Sequence, residues 1–276
     1  MDIKKVLKNN NFTFEKRYGQ NFLTDENLLA EMVESAGVDK NSTVVEIGMG
    51  AGTLTMQIAK RVKKVYGFEI DTKLKPILAE TLKEYDNIEI TYNDIMKIKT
   101  TDLEEIIGGK YTVIANLPYY ITTPIIMRFI EEAENCESII VTIQKEVAER
   151  ITADAGDSEY GAITASINAV ADSVITMYIG REKFLPPPNV DSAVVKITLN
   201  KNKYDIKDIK EYRKLIKSAF IMRRKTLVNN IIKAYPISRE QIENILISLG
   251  FKADVRGEDL SSNDYVNLYN ELSKLC

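Results

Sequence analysis

The 276-residue chain contains no histidine and only two cysteines, Cys136 and Cys276. The absence of histidine excludes Ser-His catalytic triads, histidine-based acid–base chemistry and most zinc sites. Two cysteines without metal-ligand spacing are typical of a reduced compartment, so we expect a cytoplasmic protein without a bound metal. Its chemistry must therefore depend on carboxylates, amides, hydroxyls, aromatic rings or a cofactor.

The sequence also lacks a long uninterrupted apolar run. Its most apolar stretch, residues 161–180, is broken by Ser166, Asn168, Asp172 and Ser173, so we expect no membrane span. The N-terminal residues show no apolar signal region. With 45% hydrophobic and 28% charged residues, the composition is that of a globular protein with a main domain and a smaller appendage.

Positive charge is concentrated in one segment of an otherwise acidic chain. Residues 196–233 contain 12 Lys or Arg and 3 Asp or Glu, a local charge of +9, while the whole chain carries −3. The other residues therefore carry −12. This asymmetry favours a polyanion-binding surface, although charge runs also occur on solvated helix faces.

Apolar runs rich in β-branched residues alternate with amphipathic segments in the first 200 residues. This alternation predicts βαβ units and a doubly wound α/β sheet with strands near 43–47, 64–68, 88–92, 111–115, 138–142, 172–178 and 193–199. Helical periodicity dominates beyond that point. We therefore predict a first domain at 1–200 and a small α-helical C-terminal domain at 201–276.

A glycine-rich turn, VVEIGMGAGTLT, follows the first predicted strand. Gly48, Gly50 and Gly52 would let the backbone approach a ligand at a helix N-terminus. The spacing fails the dinucleotide fingerprint G-x-G-x-x-G, and no phosphate-loop Gly-Lys-Ser/Thr follows. The turn resembles the nucleoside loop of S-adenosylmethionine-dependent methyltransferases, with a plain turn as the alternative.

Polar residues follow the next predicted strands. Glu69 lies 21 residues after Gly48 and can accept hydrogen bonds from both ribose hydroxyls. Asp94 follows the third strand, where it can accept from an adenine amino group, and Asn116 ends the fourth. Because open α/β sheets bind ligands at the carboxyl ends of their strands, we predict that these residues converge.

The segment NLPYYITTPI, which begins at Asn116, resembles the Asn-Leu-Pro-Tyr motif of N6-adenine methyltransferases acting on ribosomal RNA. Four other segments are similar to that family: YGQNFL (18–23), KFLPPPNVDSAVV (183–195), AFIMRRKTLVNN (219–230) and RGEDLS (256–261). These matches follow the family's order along nearly the whole chain. The chain is identified as a member, with the bacterial small-subunit rRNA branch as its closest fit.

The resemblance implies a Rossmann-like, seven-stranded methyltransferase sheet with a helical RNA-binding domain. It implies S-adenosyl-L-methionine as cofactor, small-subunit (16S) rRNA as partner, and N6,N6-dimethylation of two adjacent adenosines near its 3′ end during ribosome biogenesis. We expect a monomer. The implied cofactor-binding residues are Gln20, Asn21, Leu23, Gly48, Gly50, Gly52, Glu69, Asp94 and Asn116. The implied RNA-binding residues are Arg223, Arg224 and Lys225, which Lys4, Lys5, Lys8, Lys16 and Arg17 are candidates to extend.

The proposed chemistry explains the composition of the Asn-Leu-Pro-Tyr turn. Adenine N6 is a poor nucleophile because its lone pair is delocalised into the ring, and acceptors aimed at its N–H groups favour attack. Asn116 and the Leu117 carbonyl can supply such acceptors, while Pro118 has no N–H donor. We predict that Tyr119 stacks on the flipped base and that Phe184 holds its other face, unless Phe184 plugs the core instead. We assign Tyr120 no role.

Three alternative functions remain open at this point. The large-subunit rRNA adenine dimethylase of macrolide resistance has a related Asn-Ile-Pro-Tyr motif, whereas position 117 is Leu here. A non-catalytic ribosome-assembly or RNA-binding factor could keep the same fold without transferring a methyl group. A methyltransferase of DNA or of a protein amide is disfavoured by Leu117 and by the basic helical segment.

Overall fold

The computed structural model describes residues 3–15 and 18–275, so Lys16 and Arg17 lie outside the described residues. The chain forms two compact units, Met1–Ala148 with Val174–Leu199, and Glu149–Ser173 with Asn200–Cys276. The sequence prediction assigned 149–173 to the first domain, whereas the structure adds this segment to the helical unit. The reason is a long-range contact, since the helix at Ala162–Asn168 packs on helices at Ile209–Ala219 and Ser262–Leu272.

The sheet confirms the predicted α/β class. The strands are β1 (Phe22–Leu23), β2 (Thr43–Ile47), β3 (Lys64–Phe68), β4 (Ile88–Thr91), β5 (Tyr111–Asn116), β6 (Cys136–Gln144), β7 (Ala171–Ile179), β8 (Phe184–Leu185) and β9 (Ser192–Leu199). Seven of them form one sheet in the order β4-β3-β2-β5-β6-β9-β7, and β1 pairs with β8 in a separate antiparallel ribbon. Strands β2 to β6 are parallel to one another, and β9 is antiparallel to β6.

The helices are α1 (Ile3–Asn9), α2 (Glu26–Ala36), α3 (Thr53–Ala59), α4 (Lys75–Thr81), α5 (Thr100–Ile107), α6 (Tyr119–Glu132), α7 (Lys145–Ile151), α8 (Ala162–Asn168), α9 (Ile209–Ala219), α10 (Leu227–Ile231), α11 (Arg239–Ser248) and α12 (Ser262–Leu272). Polar side chains start several of them. Asp25 accepts hydrogen bonds from the amides of Asn27 and Leu28 at the start of α2, and Ser238 and Ser261 form capping boxes.

Helices cover both faces of the sheet because successive strand residues point in opposite directions. On β5, Ile114 belongs to the apolar cluster that contains Met32 of α2 and Ile58 of α3. The side chain of Tyr111 points to the other face, where its ring lies 6.3 Å from that of Phe129 on α6. The buried sheet thus holds its strand ends in fixed positions.

The strand order reverses between β2 and β5. The chain passes from β2 to β3 and β4 on one side, and then returns to place β5 on the other side of β2. Ligands bind at such a switch point in open α/β sheets, beyond the carboxyl ends of the strands. Gly48 follows β2 and Asn116 ends β5, so the fold brings two predicted site residues to this point.

Candidate active site

A cavity lies within the first unit at the carboxyl ends of β2, β3, β4 and β5. The segment before β1 and the start of α6 complete its wall. The structure brings together every predicted cofactor and base residue except Gly52, namely Gln20, Asn21, Leu23, Gly48, Gly50, Glu69, Asp94, Asn116, Leu117, Pro118, Tyr119 and Phe184. The described residues of the lining include Glu69 and Asp94 but no Lys or Arg.

The glycine turn exposes backbone to the cavity. Gly48 has a φ of 74° and Gly50 a φ of 53°, in the left-handed region that disfavours side chains. A Cβ atom at Gly50 would also lie 2.8 Å from the Phe22 ring, which is closer than real contacts allow. The positive φ angles at both positions and the close Phe22 ring at Gly50 therefore favour glycine in this wall.

Gly52 lies outside this wall, which corrects its predicted place in the cofactor site. A Cβ atom there would lie 2.9 Å from the Thr81 hydroxyl and 3.2 Å from the methyl groups of Leu78 and Leu82. Gly52 therefore permits close packing between the start of α3 and α4. The glycine spacing alone could not distinguish this packing role from ligand contact.

Glu69 is held beside the glycine turn by two backbone amides. Its Oε2 accepts a hydrogen bond from the Gly50 amide at 2.9 Å, and its Oε1 accepts one from the Asp71 amide at 2.8 Å. Burial, at 4% exposure, raises the pKa of this carboxyl, and the two amides partly oppose the shift. The carboxylate is thus fixed at the strand end where the sequence predicts a ribose acceptor.

The side-chain amide of Gln20 makes its hydrogen bonds within the protein. Its Nε2 donates to Asp71 Oδ2 at 2.8 Å, and its Oε1 accepts from the Glu15 amide at 3.0 Å. The side chain therefore holds the segment before β1 against the end of β3, a different role from the predicted cofactor contact. Sequence reasoning missed Asp71, although its position two residues after Glu69 at a strand end was a usable signal.

Leu23 contributes its backbone as well as a buried side chain. Its carbonyl accepts a hydrogen bond from the Thr53 hydroxyl at 2.8 Å, and its side chain belongs to the apolar cluster under the cavity. This contact ties β1 to the first residue of α3. The N-terminal segment is therefore joined to the start of α3 through Leu23 and to the residues after β3 through Gln20.

Asp94 follows β4 and precedes a 3-10 turn at Ile95–Lys97. Its Oδ1 accepts a hydrogen bond from the Met96 amide at 3.0 Å, which fixes the side chain. Within the described parts of the chain, Oδ2 has no hydrogen-bond partner. One carboxylate oxygen thus shapes the turn, and the other is available to a ligand donor.

A second buried acid, Glu46, lies on β2 just before the glycine turn. Its side chain is fully buried, and neither carboxylate oxygen has a hydrogen-bond partner among the described residues. Burial therefore raises its pKa to about 8, which the side chain of Thr55 opposes and the neighbouring Glu69 reinforces. At neutral pH Glu46 is mostly the neutral acid, so it adds little negative charge to this region.

The side-chain amide of Asn116 has a fixed orientation. Its Nδ2 donates to the backbone carbonyl of Asn21 at 3.0 Å, so Oδ1 is left as an acceptor. The glycine turn is adjacent, since a Cβ atom at Gly48 would lie 3.9 Å from the Asn116 carbonyl oxygen. The segment before β1 therefore positions the residue at the centre of the predicted chemistry.

The next two residues connect β5 to α6. Pro118 has a φ of −56° and a ψ of 133°, and its carbonyl accepts hydrogen bonds from the Ile121 amide at 3.1 Å and the Thr122 hydroxyl at 3.2 Å. The start of α6 thus uses the Pro118 carbonyl rather than that of Leu117. The Leu117 side chain is buried and anchors the turn.

Aromatic rings line the cavity near this turn. The Tyr119 hydroxyl lies 2.7 Å from the Ser192 hydroxyl, and burial raises the pKa of this phenol. Phe184 is 4% exposed and belongs to the apolar core, so it forms part of the cavity wall and also plugs the core. Tyr120, which the sequence left without a role, is 64% exposed at the cavity, with its ring beside Gly19.

The three predicted RNA-binding residues, Arg223, Arg224 and Lys225, have unequal environments. Arg223 Nη2 donates to the Ser158 carbonyl at 2.7 Å and to Glu258 at 3.3 Å, so it joins two segments of its own unit. Arg224 and Lys225 are exposed, and no described residue hydrogen-bonds to their side chains. Sequence reasoning grouped all three as phosphate ligands because the partners of Arg223 are distant in sequence.

In the described part of the chain, no helix is long and apolar enough to cross a membrane. The same residues contain no group of three or more His, Cys, Asp or Glu side chains that could hold a metal ion. The cavity is therefore the site that requires a chemical explanation.

A doubly wound sheet with a glycine turn, a buried acid and an Asn-Leu-Pro-Tyr turn at its switch point defines a Rossmann-like methyltransferase. The family model described as ribosomal RNA adenine dimethylase matches residues 11–274. The chain belongs to this family.

Individual relatives agree with the family match. The chain is 42% identical over 278 residues to the ribosomal RNA small subunit methyltransferase A of Macrococcus caseolyticus, covering 98% of this chain and 94% of that protein. A dimethyladenosine transferase from Plasmodium falciparum has a similar structure, with a TM-score of 0.79, 25% identity and coverage of 92% and 98%. The 23S rRNA methyltransferase ErmE shares the fold at a TM-score of 0.74 and 24% identity, with coverage of 92% and 100%.

Proposed function

We propose that the protein transfers methyl groups from S-adenosyl-L-methionine to N6 of two adjacent adenosines near the 3′ end of small-subunit (16S) rRNA, forming N6,N6-dimethyladenosine during ribosome biogenesis. The observation that carries this proposal is the fixed amide of Asn116, whose acceptor oxygen is set by the Asn21 carbonyl beside the glycine turn. The relative from Macrococcus caseolyticus, named as a small-subunit enzyme and similar over nearly the full length, supports the choice of subunit.

The cavity suits a cationic nucleoside cofactor. Its described lining has Glu69 and Asp94 but no Lys or Arg, and Gly48 and Gly50 present backbone without side chains there. In this proposal Glu69 accepts from the ribose hydroxyls and Asp94 Oδ2 accepts from the adenine amino group. When bound, S-adenosylmethionine supplies an electrophilic methyl group on a sulfonium.

The Asn-Leu-Pro-Tyr turn acts on the target amine. Asn116 Oδ1 and the Leu117 carbonyl accept hydrogen bonds from the two N6 hydrogens. These hydrogen bonds favour attack through the nitrogen lone pair and stabilise the positive charge that develops on the nitrogen. Pro118 contributes no N–H that would repel the amine. The chain needs no general base at this step, because the amine proton becomes strongly acidic once the nitrogen is methylated.

The target base is held by aromatic stacking. Tyr119 is the proposed platform for one face of the base, and its bond to Ser192 fixes the ring in place. Phe184, as part of the wall, supports the opposite side. Stacking contacts of this kind contribute about 1–3 kcal/mol each, which helps to offset removal of the base from its stack.

The helical unit supplies phosphate contacts. Arg224 and Lys225 are exposed and uncommitted within the described residues, so they are the proposed RNA ligands of the basic segment, and Arg223 is assigned to the structure of its unit. Phosphate contacts position RNA without reading its sequence. A ribosomal substrate also supports a cytoplasmic location, and we propose that the protein acts as a monomer.

A subunit methylation assay tests the proposal. Small and large subunits that lack the modification are incubated separately with the protein and methyl-labelled cofactor. We expect label in the RNA of the small subunit only. Label confined to the large subunit would identify the macrolide-resistance type of activity, and cofactor binding without label in either would identify a non-catalytic factor.

A further inference from the structure

Arg128 lies on α6, the helix that begins at Tyr119. Its side chain is only 11% exposed, and its guanidinium faces the segment after β4. Nη1 donates to the Ile95 carbonyl at 2.5 Å, and Nη2 donates to the Ile98 carbonyl. These two carbonyls bracket the 3-10 turn that follows Asp94.

The remaining donor of the guanidinium, Nε, also makes hydrogen bonds. Nε donates to the Thr100 hydroxyl at 3.1 Å and to Glu132 Oε2 at 3.3 Å. The Thr100 hydroxyl in turn lies 2.6 Å from the same Glu132 oxygen. A planar fork can contact two carbonyls and a hydroxyl at once, whereas a lysine ammonium is a single point with a flexible stem.

These contacts hold the turn that begins directly after Asp94. Backbone carbonyls of a partly buried turn need donors. The Ile98 amide donates to the Ile95 carbonyl at 3.2 Å, and the Arg128 guanidinium donates to both the Ile95 and the Ile98 carbonyls. Because Asp94 Oδ1 is bound to the Met96 amide inside that turn, a fixed turn also fixes Oδ2. The same guanidinium belongs to the helix that follows Asn116, Leu117 and Pro118.

We propose that Arg128 is a positioning residue that holds the Asp94 carboxylate in place for the amino group of the cofactor's adenine, and that links this turn to the helix of the Asn-Leu-Pro-Tyr motif. The inference rests on the proposed function, because it needs an adenine in the cavity. A role in helix packing alone would change stability or overall affinity without changing which base is preferred.

The test measures base preference without RNA. Binding of S-adenosylhomocysteine is compared by calorimetry with binding of S-inosylhomocysteine, in which a carbonyl oxygen replaces the amino group and cannot donate to Asp94. We expect the parent protein to prefer the adenine compound by about tenfold or more. In Arg128→Met the preference should fall to within about twofold, and Arg128→Lys should be intermediate.

Glu132→Gln is the matched control. It removes the ion pair with Arg128 but leaves the contacts to Ile95 and Ile98, so the preference should stay at the parent value. The inference would be overturned if Arg128→Met kept the parent's preference for the adenine compound, or if it bound both compounds more weakly by the same factor. If circular dichroism shows that Arg128→Met does not fold, the base preference of Arg128→Lys is the test: a reduced preference supports the inference, and the parent's preference overturns it. A parent protein that binds neither compound would contradict the proposed function and this inference together.

Discussion

The strand-end cavity and the basic helical segment have opposite electrostatic character. The cavity's described lining contains two acids and no Lys or Arg, whereas residues 196–233 carry a local charge of +9. In the proposed function, the sulfonium cofactor lies in the first region and the RNA backbone contacts the second. The proposed cation-binding and polyanion-binding residues are thus far apart in the sequence of one acidic chain.

The two regions also differ in how their side chains are held. Glu69, Asp94 and Asn116 are each fixed by backbone groups, whereas Arg224 and Lys225 are exposed. Fixed acceptors suit a reaction that depends on orientation. Exposed cations suit phosphate contacts that tolerate many sequences. Changes in the first region should therefore affect chemistry or cofactor, and changes in the second should affect RNA binding.

The largest effect should follow Asn116→Ala. Loss of the acceptor should reduce methyl transfer by about 10³-fold or more, while the cofactor dissociation constant changes by no more than about threefold. Single-turnover rates and calorimetry measure the two quantities. Asn41→Ala, at an exposed position outside the cavity lining, is the control. Parent-like transfer in Asn116→Ala would remove this amide from the mechanism.

Glu69→Ala should weaken cofactor binding by about 10- to 100-fold, because the two proposed ribose contacts and the hydrogen bond to the Gly50 amide are lost together. Calorimetry with S-adenosylhomocysteine measures the change. Glu137→Ala, which removes an exposed carboxylate paired with Lys110, should leave the affinity unchanged. Equal affinities in the two variants would argue against a ribose role for Glu69.

The double variant Arg224→Ala with Lys225→Ala should weaken small-subunit binding and reduce the salt dependence by roughly 1.5 to 2 in log–log slope. Arg223→Ala should keep the parent slope and instead lower the free energy of unfolding by about 1 kcal/mol. Filter binding across salt concentrations and thermal unfolding separate these outcomes. The opposite pattern would restore Arg223 as the phosphate ligand.

The last prediction concerns folding stability, not catalysis or binding, and involves the buried acid of the cavity region. Because the pKa of Glu46 is raised from its ordinary 4.5 to about 8, the folded state holds a proton that the unfolded state releases between these values. The stability contributed by this proton is present below pH 4.5 and is lost as pH rises through 8. Glu46→Gln should therefore gain stability relative to the parent by up to about 1.4 kcal/mol per pH unit across this range. A difference that does not vary with pH would show that Glu46 is ionised in the folded protein.

Much of the sheet was predictable because hydrophobic patterning reports which strands are buried on both faces. The predicted strands, the switch-point residues and the helical C-terminal region agree with the structure. The sequence pattern did not predict the two short helices α1 and α5. The amphipathic pattern predicts a helix at Thr123–Ala133, whereas α6 begins at Tyr119, because Pro124 lies inside the helix and not at its first turn.

The parts that could not be predicted depend on partners distant in sequence. Nothing local to Gly52 shows that Thr81 packs on it, and nothing near Arg223 shows that it contacts Ser158. The assignment of 149–173 to the helical unit follows from packing of α8 on α9 and α12 for the same reason. Motifs located the site, but tertiary contacts decided the role of each side chain.

The most direct test of the central claim is mass spectrometry of small-subunit rRNA after incubation of unmodified small subunits with the protein and S-adenosylmethionine. We predict two adjacent N6,N6-dimethyladenosines near the 3′ end with the parent protein and unmodified adenosines with Asn116→Ala. Unmodified small-subunit rRNA after incubation with a parent protein that binds the cofactor would contradict the account.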